Sequence, residues 1–116
     1  MSKFYKIYKL SDDTELWVGK DAKSNDILTF NFSKMEEWWC HVDEYPGSHI
    51  VIKSTKDILS SEIMKEIAKI AVKHSKAKNI KTRCFVTFCK CFQVEKKKKS
   101  KDGLVYLTGN VTKIKV

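Results

Sequence analysis

The sequence predicts an α+β domain, with a mostly antiparallel sheet and one long helix packed on one face. Two observations point there. Seven short segments rich in β-branched and aromatic residues are bounded by turn residues, and one stretch, Ser60 to Lys78, carries apolar side chains at helical spacing. The length of 116 residues adds a third. It suits one domain spanning 1–116 and leaves little room for a second.

The elements follow in order. "FYKIYKL" and "TELWVGK" read as strands on either side of "LSDDTE", an Asp- and Ser-rich tight turn. After Gly19, where the chain can bend sharply, "DAKSNDILTF" is expected to hold a short helical turn capped by Asp21. "EWWCHV" and "SHIVIK" make a hairpin around "DEYPGS", with Pro46 and Gly47 at the central positions of a type II turn. The long helix, "SSEIMKEIAKIAVKHSKAK", starts from a Ser60 or Ser61 cap with Glu62 in its first turn and lysines in its last. Ile63, Ile67, Ile70, Ala71 and His74 fall on one arc and should face the sheet, with His74 packed rather than a ligand. "TRCFVTFCK", "LVYLTG" and "VTKIKV" are the remaining strands. The second face of the sheet is expected to stay at least partly open.

Charge narrows the function. The net charge is +9, and it is unevenly spread: residues 1–58 carry 8 Lys/Arg and 10 Asp/Glu, residues 59–116 carry 15 and 4. A basic half suggests a polyanionic partner, nucleic acid before an anionic membrane. Arg83 is the sole arginine, so phosphate and shape contacts are expected rather than guanine-edge readout. Compositional bias and solubility are the competing source of the lysines. For the stripe Lys65, Lys69, Lys73 and Lys76, partly neutralised by Glu62 and Glu66, a solvated helix face is the simpler reading. No apolar run approaches the ~20 residues of a membrane-spanning helix. The N-terminal "MSKFYKIYKL" is not a signal peptide, and four cysteines without a secretory signal fit a reducing, cytoplasmic setting.

The segment "WWCHVDEYPGSHIVIK" concentrates two of the three histidines, two tryptophans and the only proline. Strand parity puts Trp38, Cys40, Val42, Ile50 and Ile52 on an inward face and leaves Trp39, His41, His49 and Lys53 together on the other. With even register His41 stands opposite His49. A metal site lacks further ligands at a recognised spacing, since Cys89 and Cys91 form only C-x-C. A Cys40–His41 nucleophile fails because neighbours on a strand point apart. Glu36/Glu37 and Asp43/Glu44 read as turn and strand-edge charges, and no Gly-rich phosphate loop is present. A nucleic-acid surface fits best: rings to stack on bases, and "KKKKSK" as a cationic loop between strands.

"WVGKDAKSND", "EEWWCHVDEYPGSHIVI", "AKIAVKHSKAK", "CFVTFCK" and "DGLVYL" occur in the order typical of the NFACT-R domain. The chain resembles that family over nearly its whole length, and a stand-alone NFACT-R domain is the expectation. The matched positions are Gly19, Asn25, Asp26, Pro46, Gly47, Ser48, Ser75 and Gly103, with His41, Val42 and His49, and with Trp39 rather than Trp38 as the family tryptophan. Glu36 or Glu37 stands where the family has Asp, and Ala68 and Ala71 replace an adjacent alanine pair only in part. The resemblance implies RNA binding in ribosome-associated quality control, where multidomain relatives engage the large ribosomal subunit and tRNA.

Together these readings predict an RNA-binding module for tRNA or rRNA, without catalytic residues, metal or cofactor. Trp39, His41 and His49 would contact base, ribose or phosphate, and Lys53, Lys73, Lys76, Arg83, Lys96, Lys97, Lys98, Lys99 and Lys101 would hold the backbone. Asn25 and Asp26 would brace the loop beside the hairpin. Two alternatives stand beside it: an enzyme or accessory factor of RNA modification using the histidine pair, and a protein-interaction module on the ribosome using an open sheet edge.

Overall fold

Strand β1 (Tyr5–Lys9) turns into β2 (Glu15–Gly19) through a tight turn in which Asp12 Oδ1 accepts the Thr14 N–H at 3.0 Å and Asp13 takes a φ of 69°. A computed structural model describes residues 4–79, 84–96 and 100–116. Helix α1 (Ala22–Asn31) follows, then β3 (Trp38–Val42), β4 (Ile50–Ile52), α2 (Ser61–Lys73), β5 (Phe85–Lys90), β6 (Val94–Glu95), β7 (Tyr106–Leu107) and β8 (Thr112–Lys115). Six strands make one antiparallel sheet in the order β1-β2-β4-β3-β5-β8, and β6 pairs β7 in a small separate ladder. The edge strands carry exposed lysines, Lys6 and Lys9 on β1 and Lys113 and Lys115 on β8, which discourage edge-to-edge association.

Helix α2 covers one face. Its Ser60 cap accepts the Ile63 N–H at 3.2 Å. Met64, Ile67, Ala68 and Ala71 are its buried residues, packed on Trp38, Cys40, Val42, Ile50, Ile52 and Phe88. The inward arc is thus rotated from the expected one. Ile63, Ile70 and His74 are only half-buried at its margin, because the small Ala68 and Ala71 let the helix approach the sheet most closely along their own line.

The opposite face is covered over part of its area by α1 and the small ladder and is partly open as expected, with Phe85 of β5 exposed on it. Where one helical turn was expected, α1 runs for ten residues, capped as expected by Asp21 Oδ1 accepting the Ser24 N–H at 2.8 Å. Leu28 of α1, with Val94 and Leu107 of the small ladder, packs over Trp39, Val51 and Cys89 to form a second core. The β3–β4 turn is corrected as well. Positive φ falls at Glu44 (66°), not at Gly47, so the connection is not a type II turn with Gly47 at its third position. Gly47 is needed for close approach instead: a Cβ there would lie 2.7 Å from the Ser75 Cβ. No helix among the described residues is long and apolar enough to cross a membrane.

Candidate nucleic-acid interface

Parity and register bring the three rings together as expected. Pairs run from Trp38↔Ile52 to Cys40↔Ile50, and one step further sets His41 across from His49 with centroids 5.6 Å apart and planes at 89°. Trp39 stacks on His41 at 6.1 Å and meets His49 edge-on at 5.2 Å.

Two of these rings do not reach the surface. Trp39 is 2% exposed and His49 is 1% exposed, because α1 lies across them. Trp39 Nε1 donates to Thr29 Oγ1 at 3.2 Å. His49 Nε2 lies 3.1 Å from the Gly103 carbonyl, which can only accept, so Nε2 carries the proton. Nδ1 then accepts from the Thr29 hydroxyl at 2.9 Å. Both ring nitrogens of His49 are engaged and neither ring offers a stacking face, which removes Trp39 and His49 from the expected contact surface. Burial, with His41 nearby as a lesser cause, pushes the His49 imidazole down to about 4, against the opposing pull of the Gly103 carbonyl and Asp26. His49 is therefore neutral at pH 7.

The motif residues hold this arrangement in place. Asn25 Oδ1 accepts the His49 backbone N–H at 3.0 Å, and its Nδ2 donates to the Gly47 carbonyl at 3.3 Å. Only glycine fits at Gly19, since a Cβ there would lie 1.9 Å from Asn25 Oδ1. Ser48 Oγ donates to the Gly19 carbonyl at 2.6 Å. Ser75 Oγ donates to the Val72 carbonyl and accepts the Ala77 N–H. Lys76 N–H donates to the Pro46 carbonyl at 2.8 Å, and Ser48 N–H to the His74 carbonyl at 3.0 Å. Together with the Gly47–Ser75 contact, these bonds stitch the end of α2 to the hairpin loop.

His41 is the ring that reaches solvent. It lines an open groove of ≈ 850 Å³ bounded by loop residues 44–48, the end of α2 with residues 73–78, the start of α1, and residues 102–104. Burial lowers its imidazole pKa, opposed by the Gly47 backbone and Asp43. Lys73, Lys76 and Lys78 stand exposed along one side of the groove and, among the described residues, take part in no salt bridge. His74, bonded to the Tyr8 hydroxyl at 2.8 Å, has its pKa lowered by burial first and then by Lys6, Lys73 and Lys78. That second cause marks the local excess of positive charge. Asp21, Glu44 and Asp102 are the acidic residues of the groove.

The other predicted cations separate. Lys53 belongs to the scaffold, not the groove: it pairs with the buried Glu37 at 2.7 Å and sits 4.1 Å over the Trp17 ring. Lys96 likewise turns inward, pairing with Asp26 at 3.1 Å and donating to the carbonyls of Leu104, at 2.8 Å, and Lys101. Lys101 is exposed beside the groove residue Asp102. Arg83, Lys97, Lys98 and Lys99 lie outside the described residues. The sequence reading missed Thr29, Lys78 and Tyr45, whose half-buried ring also lines the groove. Thr29 had a usable signal, lying one helical turn beyond Asn25 in a stretch already suspected of being helical.

A helix-covered antiparallel sheet with a lysine-edged groove defines a small domain suited to a polyanion. The chain belongs to the family described as the NFACT protein RNA binding domain, whose model matches residues 3–112. It is 32% identical over 98 residues to the Rqc2 homolog RqcH of Bacillus subtilis (strain 168), a match covering 84% of this chain and 17% of that protein. It is 41% identical over 66 residues to the Rqc2 homolog RqcH of Streptococcus suis (strain 05ZYH33), covering 57% of this chain and 12% of that one. The chain thus spans a small part of the length of these curated relatives. Among solved structures, the C-terminal part of the fibronectin/fibrinogen-binding protein from Streptococcus suis aligns with a TM-score of 0.88 at 30% identity, covering 100% of this chain and 46% of that chain.

Proposed function

We propose that this domain binds structured RNA, tRNA or rRNA, in ribosome quality control, and that its contact surface is the groove beside His41 rather than the whole ring-bearing face of the hairpin. The observation that carries the reading is the row of Lys73, Lys76 and Lys78, exposed along one groove wall and in no salt bridge among the described residues. Membership of an RNA-binding family supports it, and the large ribosomal subunit is the partner suggested by the kind of relatives the chain has. A lysine row without described arginine suits phosphate contact more than base-edge readout. The engaged nitrogens of His49 favour binding over acid–base catalysis by the histidine pair.

A salt titration tests this. Affinity for tRNA or an rRNA fragment should fall steeply as salt rises, and Lys73→Gln with Lys76→Gln should make the log–log slope shallower by roughly 1 to 2. An affinity indifferent to salt, or a slope unchanged in the double variant, refutes the reading.

A further inference from the structure

The groove and the His41 ring in its lining point to a narrower ligand than RNA in general. His41 has two ring neighbours, Trp39 nearly parallel at 6.1 Å and 13° and His49 perpendicular at 5.6 Å. The ring is partly exposed and lines the groove. A ring fixed in this way stacks on a ligand with little loss of side-chain freedom. Gly47 and Gly103 line the groove beside it. Other polar lining groups are already engaged: Asn25 with His49 and Gly47, Ser48 with Gly19. The same lining carries the flat His41 ring and the exposed lysines. The space of ≈ 850 Å³ is of the size that takes a small organic ligand. A continuous duplex exposes phosphates and 2′-hydroxyls but keeps its base faces stacked, so it could use the lysines and not the ring.

We propose that the groove takes one unpaired nucleotide of the bound RNA, its base stacked on His41 and its phosphate against Lys73 and Lys76. This rests on the RNA-binding reading above and adds a preference for unpaired over paired RNA. Stacking of a base on a protein ring is strong enough for the preference to be roughly tenfold.

The test uses two fluorescently labelled RNA hairpins with equal numbers of phosphates, one blunt and one with a short unpaired tail, titrated by anisotropy. The wild-type domain should bind the tailed hairpin roughly tenfold more tightly. His41→Ala should bring the two affinities together, and His41→Phe should keep them apart, since phenylalanine also stacks. Equal affinity of the wild-type domain for both hairpins overturns the inference while leaving RNA binding intact. A tail preference that survives in a folded His41→Ala variant also overturns it. Absence of binding to either hairpin overturns both this inference and the reading it rests on.

Discussion

Lowering the pH from 7 to 4 perturbs His49. The unfolded chain takes up a proton on this imidazole near 6.5, whereas burial holds the folded one down to about 4. Between those values acid therefore favours the unfolded state. The stabilisation associated with a neutral His49 is complete above 6.5 and is lost as pH falls through the folded value. Each pH unit inside the window removes about 1.4 kcal/mol, so the whole loss is roughly 3 kcal/mol from this one residue. That is a large share of the ~5–15 kcal/mol of an ordinary domain. His41 and His74 are lowered in the same direction and add to the slope. Comparison with a non-titrating variant isolates the term. Urea unfolding of the wild type and of His49→Gln at pH 7, 6, 5 and 4.5 should show a steeper decline for the wild type. Imidazole proton shifts in NMR should show one histidine still neutral at pH 5. Identical pH slopes in the two proteins, or three histidines all titrating near 6.5, would refute the buried, doubly hydrogen-bonded state.

Three further outcomes follow from the packing. Gly47→Ala should cost about 1–3 kcal/mol in urea unfolding through overpacking against Ser75, and Ser75→Gly in the same chain should restore part of the loss. Lys53→Met should lower stability by about 1–3 kcal/mol by leaving Glu37 buried without its cation, while RNA affinity by anisotropy stays within about twofold. A tenfold loss of affinity there would return Lys53 to the binding surface. Thr29→Val should cost more than Thr29→Ser in thermal and urea unfolding, because valine leaves the Trp39 indole N–H and His49 Nδ1 unpaired at about 1–3 kcal/mol each.

The hairpin was legible because strand alternation has a period of two, and the apolar set Trp38, Cys40, Val42, Ile50 and Ile52 admits only one face as the inside. That fixes the company His41 keeps, but not what lies above it. The covering element, α1, buries Ser24, Asn25, Leu28 and Thr29. A helix that buries polar residues to hydrogen-bond its neighbours shows little apolar periodicity, so neither its length nor how much of the second face it covers was visible. Gly47 followed the same pattern. Pro-Gly is a strong turn signal, but the need for glycine came from Ser75 on a distant element, and no local rule carries that information.

The lysines show why charge counting identified the partner class better than the contacts. A sequence assigns every lysine the same charge, and only the fold decides which ones find acceptors at home. Lys53 reaches Glu37, and Lys96 reaches Asp26 and two carbonyls, so both serve the scaffold. Lys73, Lys76 and Lys78 lie at and just beyond the end of α2, exposed and in no salt bridge among the described residues. The histidines divide in the same way. His49 has Thr29 on one nitrogen and the Gly103 carbonyl on the other, so it fixes the wall of the groove from beneath. His41, across the ladder, is partly exposed and lines the space that His49 helps to shape. Two identical side chains in register thus have different roles: one supports the surface, and the other is part of it.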